Sequence, residues 1–313
     1  EQKRVLLHFE AVAGDCIVLV NGQEVGSNFD SHLPIDLDIS SYINRDAENE
    51  LLVGVRHTKL FDKSHPLYKK MGATYPTGSN TDDLIGIWQD VYLLGVPEVR
   101  ITDVFVQPWV DKNELILEIA MTNLTPKNKK ITLGGVVKEW VNHAGKDVLT
   151  APEISWSLGE TVLTIPSEFV ILRAGESKTI TVRHQVNDVL KYWTPDTPYL
   201  YTLLLNVNDK KQTYDCKATR FGWRQFKIVG DEFQLNGKEI QCFGDIQHPF
   251  SAYICSRRFA YAWYQMIKDF GGNAVRPHAQ PWPRVYYDLA DEMGLMLSLI
   301  HISEPTRLLS ISY

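Results

Sequence analysis

The sequence is poor in the features that mark several large protein classes. Its four cysteines, Cys16, Cys216, Cys242 and Cys255, are too few and too scattered to staple a small scaffold. None stands in C-x-x-C spacing and no histidine–cysteine cluster accompanies them, which argues against a structural zinc site. No glycine-rich phosphate loop occurs. No metal and no cofactor is therefore expected. No apolar run approaches the ~20 residues of a membrane span, so no membrane partner is expected. Positive charge is in the minority, with 32 Lys and Arg against 38 Asp and Glu. The longest basic run, Lys127-Asn128-Lys129-Lys130, reads as a solvated hairpin tip and not as the basic stripe of a nucleic-acid binder.

What is present is a globular composition, 44% hydrophobic and 22% charged, over 313 residues, enough for two or three domains. Short strands and turns fill the first 97 residues. Val5 to Phe9 and Cys16 to Val20 read as strands, and Asn21-Gly22 supplies the positive φ values of a tight hairpin. Ile35 to Ile39 alternates with period two, whereas Leu51 to Val55 reads as a more fully buried strand. A long irregular stretch from Lys59 to Leu84 precedes Ile87 to Leu94. From Pro97 the pattern repeats, with strand candidates at Val99–Val106, Leu115–Thr122, Lys130–Lys138, Thr161–Ile165, Lys178–Gln185 and Leu200–Asn206. Both regions read as β-sandwiches.

The character changes after Asp231. A hairpin over Glu232–Lys238 and a strand over Glu239–Gly244 lead into an amphipathic helix. Its apolar face is Phe259, Ala262, Trp263, Met266, Ile267 and Phe270, with Ser256 as its cap and Gly271-Gly272 as its stop. A short strand at Asn273–Arg276, a second helix from about Pro283 to Met293, and a strand beginning at Leu295 complete a βα repeat. Two βα units cannot close an eight-stranded barrel. The helix at 256–270 is accordingly expected to leave part of its apolar face uncovered.

The motifs resemble glycoside hydrolase family 2, the group of β-galactosidases, β-glucuronidases and β-mannosidases. Val20 to Gly26 is similar to the family's VNG-x-x-VG hairpin, and Ile85 to Leu93 to its GGI-W/Y-R-DV-x-L strand. Trp193 to Tyr201 is similar to WSP-x-x-P-x-LY, and Phe221 to Arg224 followed by Phe233 to Lys238 to GFR…F-x-LNGK. Asn273 to Pro281, with Tyr287, Asp291-Glu292 and Gly294, resembles the N-x-x-R…H…P…FY…DE-x-G signature. Phe243 and Ile246 depart from the RG-x-N-x-H pattern. The resemblance implies a jelly-roll, sugar-binding β-sandwich over 1–97, an immunoglobulin-like β-sandwich over 98–220, and the start of a (β/α)8 TIM barrel over 221–296. Residues 297–313 read like a translated sequencing adapter, and the start at Glu1 inside a strand-like run also reads as a fragment.

The resemblance further implies retaining hydrolysis of β-glycosides, with β-galactosidase as first choice and β-glucuronidase or β-mannosidase as alternatives. A non-catalytic carbohydrate-binding protein is the rival reading from another class, and the βα repeat argues against it. The family's two catalytic glutamates are expected after the fourth and seventh barrel strands, beyond this chain, so no catalytic residue is assigned. Glu292, on the second helix, is expected to be a solvated charge. Substrate-binding candidates are Asp245 and His248 after the first barrel strand, and Arg276 and His278 after the second. Plain turn chemistry for Asp245, a structural ion pair for Arg276 and satisfied buried imidazoles for the two histidines stand as alternatives. Trp282 is either a sugar platform or packing. Asn80, Asp82 and Asp83 are weaker candidates for reaching a bound sugar or cation.

Overall fold

The structure, a computed structural model, describes residues 4–28, 33–56, 85–143, 156–245, 253–277 and 282–298. The first unit contains β1 (Arg4–Phe9), β2 (Val12–Ala13), β3 (Asp15–Val20), β4 (Gln23–Asn28), β5 (Ile35–Asp38), β6 (Leu51–Arg56), β7 (Gly86–Ile87) and β8 (Val91–Val96). One antiparallel sheet places β1 between β5 and β8; a second places β3 between β4 and β6, and β2 pairs with β7. Their inner faces meet over Leu7, Phe9, Val12, Cys16, Val18 and Val20. Asn21 and Gly22 take φ values of 51° and 76°, the left-handed pair that a two-residue hairpin requires. β6 departs from the expected full burial. It is an edge strand, and its Leu51-Leu52-Val53 run straddles both faces, so Leu52 is 50% exposed while Val53 and Val55 pack inward.

One titrating group sits on this sheet. His8 lies between Asp36 (Nδ1···Oδ1 2.7 Å) and Glu10 (Nε2···Oε2 3.0 Å), stacked on Tyr92. Burial pulls its pKa down, but the hydrogen bonds to Glu10 and Asp36 outweigh burial and leave it above the usual value of about 6.5. A raised histidine stabilises the fold fully below its unfolded pKa, and that contribution disappears as pH climbs through the folded value. The melting temperature of the wild type is therefore expected to fall relative to His8→Gln as pH rises from about 6.5. Parallel pH profiles for the two proteins would refute this.

The second unit contains β9 (Val99–Trp109), β10 (Glu114–Asn123), β11 (Lys129–Asn142), β12 (Trp156–Leu172), β13 (Ser177–Gln185), β14 (Leu200–Asn208) and β15 (Thr213–Gly222). β13-β10-β9 face β12-β11-β14-β15 across a core that takes Leu115, Leu117, Ile119 and Met121 from alternate positions of β10 and Leu203, Leu205 and Val207 from β14. The expected strands are all present. β15 was not expected, because it is a half-covered edge strand whose first eight residues carry no fully buried side chain and hence no apolar alternation.

The last unit begins with the hairpin β16 (Phe226–Val229), β17 (Glu232–Leu235) and β18 (Lys238–Glu239). β19 (Gly244–Asp245), α1 (Arg257–Asp269), β20 (Ala274–Val275), α2 (Arg284–Met293) and β21 (Met296–Leu297) follow. The expected strand over 239–244 is split: Lys238–Glu239 closes the hairpin, and only Gly244–Asp245 joins the next sheet. That sheet is parallel, in the order β19-β20-β21, with a helix in each crossover, and it stays open among the described residues. A Cβ at Gly244 would overlap the Ala274 carbonyl, so glycine is what lets the first two strands approach. Ser256 caps α1, its Oγ accepting from the Phe259 amide at 3.3 Å. The buried stripe of α1 is Ala260, Tyr264 and Ile267, packed on Tyr286 and Leu289 of α2. Of the expected apolar face only Ile267 is therefore buried, while Phe259 and Trp263 are half-buried and Ala262 is exposed. The other side of the apolar face is open, with Met266 54% and Phe270 83% exposed. No helix among the described residues is long and apolar enough to cross a membrane.

Candidate functional site

In a parallel βα sheet, loops at the C-terminal strand ends build the site. Asp245 is the last residue of β19, and Arg276 directly follows β20. The two are neighbours: the Arg276 amide donates to the Asp245 carbonyl at 2.9 Å. The Arg276 side chain is exposed and makes no ion pair among the described residues, while Asp245 is half-buried and already partnered. Both line a cavity of about 560 Å³. It is lined by residues of all three strands and by Phe226, Phe233 and Leu235 of the hairpin. A guanidinium and a carboxylate at the rim of an apolar-walled cavity can donate to and accept from hydroxyl groups. His248, His278, Asn80, Asp82 and Asp83 lie outside the described residues. Trp282 is 4% exposed, with its ring edge-on to Trp263 at 5.2 Å and to Tyr286 at 5.3 Å. It is core packing between α1 and α2.

Glu292 corrects the sequence reading. Its side chain is 1% exposed, and it stands between two arginines. Arg220 of β15 donates from Nη1 to Oε1 at 2.8 Å, and Arg257, the first residue of α1, reaches Oε2 from Nη2. Arg220 also donates to the carbonyl and Oδ1 of Asp288, each at 3.0 Å. Next to it, Arg224 pairs with Asp291 at 3.3 Å and lies over the Trp193 ring. Burial pushes the Asp291 carboxyl above the usual aspartate range, against the pull of Arg224 and Arg220. The Trp193 indole donates to the Asp291 carbonyl at 2.8 Å, and Lys268 donates to the Pro195 carbonyl at 2.8 Å. Gly294 ends α2 at φ 75°, and a Cβ there would overlap the Pro195 carbonyl. Asp291, Glu292 and Gly294 thus join the second sandwich to the helices. One signal was available in the sequence: acids in the last turn of a helix oppose its dipole and call for cations from elsewhere.

Comparison with known proteins agrees with this architecture. The family model described as "Glycosyl hydrolases family 2, sugar binding domain" matches residues 1–97, and that described as "Glycosyl hydrolases family 2" matches residues 99–224. A β-galactosidase of Streptococcus thermophilus is 28% identical over 94% of this chain, which covers 26% of that protein. A putative β-glucuronidase of Formosa agariphila is 26% identical over 93% of this chain and 32% of its own length. Among solved structures, a Bacteroides uniformis β-glucuronidase superposes with a TM-score of 0.72 at 20% identity, over 95% of this chain and 34% of the other. The chain thus spans about a quarter to a third of the length of these curated relatives. With two successive sandwiches matched in order and a parallel βα sheet following them, the chain belongs to glycoside hydrolase family 2.

Proposed function

We propose that the full-length protein is a retaining β-glycosidase whose preferred substrate is a β-galactoside. The observation that carries the sugar is the similarity to a β-galactosidase running through 94% of the chain. In this reading, residues 1–97 and 98–220 are the sugar-binding and immunoglobulin-like sandwiches, and residues 221–296 open the catalytic barrel. Arg276, Asp245, His248 and His278 belong to the substrate rim. Arginine and histidine donate to sugar hydroxyls there, and the aspartate accepts. Retaining chemistry uses two carboxyl groups about 5–5.5 Å apart, one as acid/base and one as nucleophile. Both are assigned to later barrel strands and not to Glu292, which is committed to Arg220 and Arg257.

The test compares nitrophenyl β-galactoside, β-glucuronide and β-mannoside as substrates of the full-length gene product. The galactoside is expected to give the highest kcat/KM. A preference for the glucuronide would transfer the assignment to the activity named for the Formosa relative. Residues 1–313 alone are expected to hydrolyse none of the three, and turnover above background by that chain would overturn the placement of the carboxylates.

A further inference from the structure

A second, larger hollow lies away from the strand rim. Its volume is about 870 Å³, and three parts of the molecule wall it: the β7–β8 segment, the start of β12, and the N-terminal turns of α1 and α2. Both helices start on the side of the sheet where the strands end at Asp245 and Arg276, so the hollow at their first turns lies toward the same end of the sheet as the candidate rim, and the two share no lining residue. Its size is within the roughly 300–1,000 Å³ of small-molecule sites, and junctions between domains are where such sites concentrate.

Two aromatic rings of its lining are open to solvent: Trp156, the one tryptophan among the described residues that is exposed, at 47%, and Tyr92 at 44%. Each ring is backed by another: Trp156 stacks on Trp140 and Tyr92 on His8. A ring stacked on a neighbour is steadied in its plane, and both rings keep nearly half of their surface open where they line the hollow. The electron-rich face of an aromatic ring attracts the weakly positive C–H face of a pyranose. Around the rings stand Trp88, Glu10, Asp90 and Arg284, a mixture of acceptors and donors without an excess of positive charge. Such a mixture suits uncharged hydroxyl groups and offers little to a phosphate or a uronate.

We propose that this junction between the two sandwiches and the helices binds a neutral oligosaccharide, holding further sugar units of a substrate whose terminal unit occupies the barrel rim. The proposal rests on the glycosidase reading for its substrate, but its test does not require hydrolysis. Galactotriose and cellotriose, with digalacturonic acid as the charged comparison, are titrated into the 313-residue chain by calorimetry and by saturation-transfer NMR. Saturable millimolar binding of at least one neutral trisaccharide is expected, weakened about tenfold or more by Trp156→Ala and by Tyr92→Ala. Phe169→Ala, which removes an aromatic ring 65% exposed on β12 well along the strand from Trp156, is expected to leave binding unchanged. Absence of saturable binding by both neutral sugars, binding unaffected by the Trp156 and Tyr92 substitutions in folded protein, or preference for digalacturonic acid would overturn the site. Hydrolysis by the full-length protein without such binding would remove this proposal alone. Binding without hydrolysis would remove the enzymatic reading alone.

Discussion

Replacing Glu292 with glutamine is expected to cost about 3–5 kcal/mol of stability, the range seen when one partner of a buried ion pair is removed. The substitution keeps the shape of the side chain and removes the charge. Arg220 and Arg257, both mostly buried, are then left facing a neutral amide. For a unit of this size, each kcal/mol shifts the melting temperature by about 2–4 °C, so a loss on the order of 10 °C follows. The partners come from three separated elements, β15, α1 and α2. The damage is therefore expected to reach the amides of α1, which should exchange faster with solvent than those of β10 in the sandwich core. Arg284→Ala is the comparison, since its pair with Asp288 spans 3.7 Å and the arginine is 74% exposed. Such surface pairs contribute about 0–1 kcal/mol. If Glu292→Gln and Arg284→Ala melt alike, Glu292 is not the joint described here. Replacing Glu292, Arg220 and Arg257 together by apolar residues of similar volume should recover part of the loss, because no charge is then stranded.

Arg276→Ala in the full-length enzyme is expected to lower turnover about tenfold or more, the consequence of losing one charged hydrogen-bonding group worth about 1.5–3 kcal/mol. The argument is positional. Arg276 follows β20 at the end that builds the site, and Pro277 after it biases its backbone to extended geometry, which fixes the direction in which the side chain leaves. Its guanidinium is exposed at the cavity rim and free of ion pairs among the described residues, so removing it strands no partner there. The loss should therefore appear in active-site-titrated kinetics and leave the melting temperature unchanged. A lowered melting temperature with intact turnover per folded molecule would sink the substrate-binding role and return Arg276 to a structural one.

Local signals carried most of what the sequence disclosed. Asn21-Gly22 specifies its hairpin because both residues tolerate positive φ, and Ser256 with the stripe of α1 specifies a capped helix. Nothing local marks β15, where one face is only half-covered and charged residues alternate with small ones. The same distance effect masked Glu292, for which an acid in the last helical turn was the one local hint. Its cations stand 72 and 35 residues away, and a glutamate beside a helix-ending glycine looks solvated until those strands and helices are assembled. At the rim, the sequence supplied the strand ends that bring Asp245 and Arg276 together. The hollow lined by Tyr92 and Trp156 was not legible, because only one of its walls lies in a recognisable motif, the Ile85–Leu93 strand, and the others are segments distant in sequence that meet only in the assembled fold.

The close approach of Gly294 to Pro195 bears on where family members can be recombined. A chimera that takes its sandwiches from this chain and its barrel from a relative inherits the Trp193–Thr194–Pro195 turn from one parent and the helix-ending residue from the other. If the barrel donor places a side chain at that position, its Cβ collides with the Pro195 backbone of the other half. In the reciprocal chimera, with this chain's barrel and a relative's sandwiches, a sandwich donor without Trp193 deprives the last turn of α2 of the indole that caps the Asp291 carbonyl. A crossover between Gly222 and Phe226, after β15 and before the hairpin, separates these partners although it breaks no strand or helix of either unit. Crossovers upstream of Trp193, or beyond Gly294, keep them together. Parent compatibility at 193–195 and 294 should therefore decide which hybrids fold, more than overall identity does.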